Sequence, residues 1–303
     1  MERATERAER AERAEARAIA VHRAFGSGVP SKPGAGIAVR RVGSAAAVTG
    51  GTWVIDLDGV VWLTGVPIAG ASEAVAALHG AGVRTLFATN NSSPTVAEFE
   101  ERLIRAGICV GSEDLVTSAQ AAAAMLEPGS TVIALADDGM TEALDARGVV
   151  VVEHGRVDAV VVGWTHRIDF DGISRAACAV RAGARLIGTN EDPTHPTPDG
   201  LVPGTGALLA AVAVASGAKP EIAGKPHQPL ADLVTHRAED VALVVGDRQS
   251  TDGLLARRLG VPFSLVLSGV TGVGDIKPDP PADTVDADLA TLVFRVLGQR
   301  ISE

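Results

Sequence analysis

Trp53-Val54-Ile55-Asp56-Leu57-Asp58-Gly59-Val60 decides how the rest of the chain is read. The stretch opens as an apolar run and closes in two carboxylates one residue apart. Short apolar runs form the buried strands of a parallel α/β sheet. Ligands collect outside the carboxyl ends of such strands. Asp56 is therefore expected at the tip of a central strand and Asp58 one step into the loop. Gly59 lets the backbone turn sharply and come close to a ligand. Two acids this close repel each other. A hard cation relieves that repulsion, and Mg²⁺ is typically held by one or two carboxylates plus phosphate oxygens. In isolation the pair also fits a turn with two solvated acids, so the surrounding chain has to decide.

Working outward, Ser72 to Gly80 reads as a helix with Ser72 as N-cap. Val83 to Ala88 is the next apolar strand, ending in Thr89-Asn90-Asn91-Ser92-Ser93. Thr95 to Ala106 is helical, and Leu115 to Thr117 is a further strand. This β–α–β–α–β order is that of a parallel sheet. The cluster at 89–93 repeats the placement of Asp56: a hydroxyl and an amide at a strand end, able to donate to phosphate oxygens. An Asn/Ser turn with a helix cap explains the same residues equally well.

A second α/β unit is expected from about Ser118. Its strands are Thr131–Ala136, Val149–Val152, Ala159–Gly163 and Arg185–Gly188. Its helices are Thr141–Arg147 and Ile168–Ala182. A polar, proline-stiffened loop follows, Thr189-Asn190-Glu191-Asp192-Pro193-Thr194-His195-Pro196. Gly204-Thr205-Gly206 opens an alanine-rich helix reaching about Ala215, and it is too short for a dinucleotide fingerprint. The chain then returns to the first pattern. Lys225 stands between a glycine and a proline. Val241 to Val245 is an apolar strand ending in Gly246-Asp247-Arg248-Gln249-Ser250-Thr251-Asp252. A helix to Leu259, a strand from Pro262 to Leu267 and a helix from Asp286 to Leu297 close the chain.

Composition bounds the function. The 303 residues suffice for two domains or one large one. Tyrosine is absent and aromatics are few, which argues against stacking platforms for nucleic acid. No apolar run reaches membrane-spanning length. Cys109 and Cys178 form no C-x-x-C and no zinc spacing. They suit a reducing cytoplasm and are expected as small core hydrophobes. Residues 1–47 carry a net charge of +4 against −14 for the remainder. An acidic body does not bind a phosphate backbone, so any phosphate site must be local. Residues 1–51 read as a solvated Glu/Arg/Ala helix followed by a flexible Gly/Ser/Pro linker, with no chemistry of their own.

The four polar clusters, Asp56/Asp58, Thr89/Asn90, Lys225 and Asp247/Asp252, suit phosphoryl transfer. A carboxylate can attack phosphorus. A second can protonate the leaving oxygen and then activate water. Mg²⁺ can neutralise and orient the phosphate.

At these motifs the chain resembles the haloacid dehalogenase superfamily of phosphatases. The matching pieces are Asp56-Leu57-Asp58-Gly59-Val60, Thr89-Asn90-Asn91, Gly224-Lys225-Pro226 and Gly246-Asp247-Arg248 through Thr251-Asp252. Their order and spacing resemble the NagD-type branch, which includes 4-nitrophenylphosphatase-like, phosphoglycolate and pyridoxal phosphate phosphatases. That resemblance implies an α/β fold: a Rossmann-like parallel-sheet core, residues 52–118 and 222–303, with an inserted α/β cap, residues 119–221. It implies Asp56 as nucleophile and Mg²⁺ ligand. Asp58 would be general acid/base and bind the metal through its backbone carbonyl. Thr89 and Asn90, with Asn91 beside them, would hold the phosphoryl oxygens. Lys225 would bind phosphate and order Asp56. Asp247 would ligate the metal, with Asp252 supporting its shell. His195-Pro196 resembles the pyridoxal phosphatase-like members, so His195 is a candidate substrate contact. The implied partner is a small phosphorylated metabolite, with no nucleic acid and no membrane, and a homodimer through the cap is the assembly to test. Two departures stand out. Gly253 replaces a branched residue after the last acid, and Gln249-Ser250 replaces an apolar-acidic pair. A dehalogenase and a catalytically weak phosphometabolite sensor are the alternatives. Asp58 counts against the first and the intact acids and lysine against the second.

Overall fold

A computed structural model describes residues 50–197 and 200–298, the side chain of Pro196 excepted. Residues 1–49, and with them nearly all of the charged extension and linker, lie outside the described residues.

The opening run forms β1, Thr52–Ile55, and all four of its residues are buried. It pairs in parallel with β4, Arg84–Thr89, on one side and β13, Val241–Gly246, on the other. Beyond β4 lies β5, Leu115–Thr117. Beyond β13 lie β14, Phe263–Val266, and β15, Thr284–Asp286. The six strands follow the order β15-β14-β13-β1-β4-β5, and every pair is parallel. β1 thus stands in the interior of the sheet, where two-sided burial matches its unbroken apolar sequence. Ile55 lies opposite both Phe87 and Val245, so the polar residues after each strand emerge at one edge.

Trp53, Ile55, Leu57 and Phe87 pack on one face against α1, Ala71–Gly80, α2, Val96–Arg105, and α9, Leu289–Val296. Full burial of such a side chain contributes about 1.5–3 kcal/mol. Val54, Leu86 and Val244 face the other way, toward α3, Ser118–Ala124, α7, Gln228–Arg237, and α8, Leu254–Leu259. That second cluster continues through α3 to α4, Asp138–Ala146, and to Val132, Val161 and Ile187 of a second sheet.

The second sheet runs in the order β12-β9-β8-β6-β7 and is parallel throughout. Its strands are β6, Thr131–Leu135, β7, Val150–Val151, β8, Ala159–Val162, β9, Arg185–Gly188, and β12, Glu221–Ile222. α5, Phe170–Arg181, and α6, Thr205–Ser216, pack against its far face. β12 straddles residues 221 and 222, so this sheet passes directly into the segment bearing Lys225.

Several local expectations need correction. Ser72 lies inside α1, and the cap position is Gly70 in the left-handed region. The Ser72 hydroxyl donates to Glu73 instead of capping the backbone. Thr95 does cap α2, in a reciprocal box with Glu98. The polar loop after β9 contains a two-stranded hairpin, β10, Thr194–Thr197, with β11, Gly200–Pro203. A smaller hairpin, β2, Trp62–Leu63, with β3, Val66–Pro67, follows the Asp56 loop. Both cysteines are exposed rather than buried. Cys178 lies on the outer face of α5, whose inner face is Gly172, Ala176, Ala177 and Val180. Among the described residues no helix is long and apolar enough to cross a membrane.

Candidate active site

The strand-end residues meet in one cavity of about 80 Å³ at the junction of the two sheets' loops. Asp56, Asp58, Thr89, Asn90, Asn91, His195, Lys225 and Asp247 all line it.

Lys225 is the buried centre of the polar floor. Its Nζ lies 2.7 Å from Asp56 Oδ1 and 2.7 Å from Asp252 Oδ1. It also donates to the Ala88 carbonyl at 2.9 Å, so all three ammonium hydrogens have acceptors. The two acids hold the Lys225 ammonium above the usual lysine range despite its burial, which opposes them. Asp56 Oδ1 additionally accepts from the Leu57 N–H at 2.8 Å. The other Asp56 oxygen carries none of these bonds.

Burial pushes the Asp56 carboxyl well up. Lys225 opposes this, and the charges of Asp252 and Asp247 reinforce it. Asp247 is raised to about 7, first by burial and then by the Asp252 charge. Its Oδ2 accepts from the Val270 N–H at 2.7 Å. Carboxylate oxygens of Asp56, Asp247 and Asp252 fall within 4.8 Å of one another. Three buried acids share one buried cation, and the donor set is all oxygen. That excess of negative charge fits a hard divalent ion. The Asp58 carboxylate is not among the oxygens of this group.

Asp58 lines the same cavity. Its Oδ1 accepts from Trp62 Nε1 at 3.0 Å. Burial raises its carboxyl; the Trp62 hydrogen bond and the nearby His195 and Lys225 oppose that. Gly59, next in sequence, has φ +89°, and a Cβ there would lie 2.4 Å from Asp247 Oδ2. The loop can approach Asp247 only with glycine at this position.

Asn90 does something the sequence did not indicate. Its Oδ1 accepts from the Lys225 N–H at 2.7 Å, and its Nδ2 donates to the Lys225 carbonyl at 3.1 Å and to Asp192 Oδ2 at 3.2 Å. The Asn90 side chain thus clamps the Lys225 backbone, while the residue itself lines the cavity. Thr89 Oγ1 accepts from the Asn91 N–H at 3.0 Å, which leaves its own hydrogen to donate. Asn91 Oδ1 accepts from the Ser93 N–H at 3.1 Å and shapes the turn.

The roof comes from the second α/β unit. His195, on β10, is half-buried and packs on Trp164 with ring centroids 4.6 Å apart. Its imidazole is pushed down by burial, against the pull of Asp58. Asn190, Asp192, Trp164 and Arg248 also line the cavity. Sequence reasoning gave Trp164 and Arg248 no role, and reached Asn190 and Asp192 only through the loop 190–196, which resembles a substrate-facing loop. A signal existed: Thr189-Asn190 after β9 repeats the Thr89-Asn90 pair after β4, and Asn190 Nδ2 donates to the Asn90 carbonyl at 2.7 Å.

The two departures are one device. Gln249 Nε2 donates to the carbonyls of Lys277 and Pro280 at 2.7 and 2.6 Å, and its Oε1 accepts from the Lys277 N–H at 2.8 Å. It draws the 277–280 loop over the turn bearing Asp252. A Cβ on Gly253 would lie 3.0 Å from Pro280 and 3.2 Å from Phe263, so a branched residue there has no room.

Comparison with known proteins gives consistent matches. A family profile described as haloacid dehalogenase-like hydrolase matches residues 53–150, and a second, HAD-hydrolase-like, matches 222–292. The chain is 38% identical over 229 residues to a D-glycerol 3-phosphate phosphatase of Mycobacterium tuberculosis, spanning 73% of this chain but only 64% of that protein. It is 34% identical to an acid sugar phosphatase of Staphylococcus saprophyticus, covering 77% of this chain and 93% of that one. Among solved structures, a glycerol phosphate phosphatase from Mycobacterium tuberculosis in complex with magnesium superposes with TM-score 0.75 at 36% identity, over 81% of this chain and 77% of that one. A p-nitrophenyl phosphatase from Archaeoglobus fulgidus gives TM-score 0.76 at 29% identity, over 80% and 98%.

Proposed function

The chain belongs to the haloacid dehalogenase-like hydrolases, and from that premise we propose that it is a Mg²⁺-dependent phosphatase of small phosphate monoesters, working through a phosphorylated Asp56. One observation carries the mechanism. Lys225 and the Leu57 N–H both bind Oδ1 of Asp56, which directs its other oxygen to the substrate.

Oδ2 of Asp56 attacks phosphorus as the ester P–O bond breaks. Asp58, whose carboxyl is raised by burial, gives its proton to the departing alkoxide. The Asp58 carboxylate then takes a proton from water, whose oxygen attacks the phosphorus of the aspartyl-phosphate and releases Asp56. Trp62 holds one Asp58 oxygen throughout, fixing the other for proton transfer. Asp56, Asp247 and the Asp58 carbonyl would hold Mg²⁺, with Asp252 behind them. When bound, the ion supplies positive charge to the phosphoryl oxygens and lets Asp56 ionise. The Thr89 hydroxyl donates to the phosphoryl group. Asn90 acts through Lys225, and Asn91 shapes the turn beside it.

We assign residues 52–118 and 222–303 to the catalytic core and 119–221 to the cap, with residues 1–51 outside the chemistry. We favour a phosphate ester with a short leaving group, such as a polyol or sugar phosphate, as the substrate. The chemistry of the glycerol phosphate and sugar phosphatase relatives supports this choice. Both cysteines are free, which suits a cytoplasmic enzyme. A homodimer through the cap is the assembly we would test first. The function is tested by release of inorganic phosphate from a panel of small esters, with and without a chelator. Turnover that survives excess chelator contradicts the proposal.

A further inference from the structure

We propose that Asp192 and Arg248 form a paired hydroxyl-recognition site that selects phosphate esters of neutral polyols over esters carrying a carboxylate. This rests on the phosphatase reading above and concerns the leaving group.

The two residues come from opposite sides of the cavity. Arg248 follows Asp247 in the core, and Asp192 sits on the loop after β9 in the second sheet unit. Both line the cavity. Their ion pair is loose, with Arg248 Nη1 3.6 Å from Asp192 Oδ1 and 29% and 26% of the side chains exposed. Asp192 is nonetheless held firmly. Its Oδ2 accepts from Asn90 Nδ2 at 3.2 Å, its N–H donates to Asn190 Oδ1 at 3.0 Å, and its carbonyl accepts from the Gly206 N–H at 2.9 Å. Among the described residues the Arg248 guanidinium makes this ion pair and no hydrogen bond, so its donors remain available to a ligand.

A carboxylate acceptor and a guanidinium donor side by side match a hydroxyl group, which donates and accepts at once. A substrate carboxylate can only accept. It would also meet the charge of Asp192. The other cation lining the cavity, Lys225, already has acceptors for all three hydrogens. Asp192 neutralises Arg248 and so denies an anionic leaving group its one counter-charge. A site built around a hydroxyl discriminates strongly against an analogue that cannot reproduce its hydrogen bonds.

Glycerol 3-phosphate and 3-phosphoglycerate share a carbon skeleton and differ in a terminal hydroxymethyl against a carboxylate. The test is the ratio of kcat/KM for 3-phosphoglycerate over glycerol 3-phosphate, in the wild type, Asp192→Asn and Arg248→Gln. The wild type should favour glycerol 3-phosphate. Asp192→Asn keeps the shape, uncovers the Arg248 charge and should raise the ratio by about tenfold or more. Arg248→Gln removes the cation and should lower it. A wild type that favours 3-phosphoglycerate, an unchanged ratio in either variant, or a shift of the same sign in both overturns the inference. Should Asp192→Asn not fold, the Arg248→Gln arm decides alone. If the wild type hydrolyses neither these esters nor p-nitrophenyl phosphate with Mg²⁺, the phosphatase reading itself fails. If it hydrolyses them without the expected ratios, only the inference fails.

Discussion

Lys225 Nζ stands 2.7 Å from Asp56 Oδ1, both of them at the buried end of the central strand. The same ammonium is 2.7 Å from Asp252. Lys225→Met would leave two buried acids facing each other without a cation. Breaking a buried pair from one side costs about 3–5 kcal/mol. The variant should lose stability on that scale in chemical denaturation and recover part of it when Mg²⁺ is added. Turnover should fall for every phosphate ester alike, since all share the group that Asp56 attacks. A stability loss below about 1 kcal/mol would contradict the assigned role.

The acids set a pH dependence. The folded-state carboxyl of Asp247 is raised to about 7, and that of Asp56 is raised too. A raised group binds its proton more tightly in the folded state, so its contribution is fully present below the unfolded value and lost as pH rises to about 7. Bound Mg²⁺ requires the deprotonated form. The metal-free protein should therefore become less stable from about pH 4 to 7 on account of these groups. Mg²⁺ should raise Tm more at pH 8 than at pH 6, which differential scanning at fixed ion concentration can read. Equal shifts at both pH values would refute the link between this cluster and the ion.

Gly59 tests the close approach of the nucleophile loop to the metal loop. Gly59→Ala forces a Cβ at φ +89° to within 2.4 Å of Asp247 Oδ2. The backbone penalty alone is about 1–2 kcal/mol. Displacement of Asp247 should also raise the Mg²⁺ concentration needed for half-maximal activity. A normal metal dependence would show that Asp247 is not held where the ion binds.

His195 separates leaving-group selection from chemistry. It packs on Trp164 and faces Asp58 across the cavity. His195→Ala should reorder substrates, chiefly through KM. If instead every ester fell by one large factor, His195 would be acting on Asp58 or on the fold.

The core strands were legible because burial on both faces leaves an unbroken apolar signature, as in Trp53–Ile55 and Val241–Val245. The elements missed are those without it. β10 is polar, β10 and β11 each contain a proline, and their pairing is a property of two segments meeting. α7 begins just after Lys225-Pro226-His227 and looks like a continued turn until Leu230 and Val234 are seen to be buried. In the site, residue types fixed the chemistry but not every partner. That the Asn90 side chain clamps Lys225 depends on a contact across 135 positions. Asp192 and Arg248 likewise gain meaning only when their loops share a cavity.

The central claim is that Asp56 is the nucleophile of a Mg²⁺-dependent phosphatase, and kcat/KM of Asp56→Asn on glycerol 3-phosphate and p-nitrophenyl phosphate tests it most directly. The substitution keeps the side chain's shape but removes the attacking oxygen's charge and a metal ligand. Hydrolysis should fall by several orders of magnitude, on the scale seen when a covalent nucleophile is removed, about 10⁴–10⁶, while the folded structure persists by circular dichroism. Turnover within about tenfold of wild type would contradict the aspartyl-phosphate mechanism and require another nucleophile in this cavity.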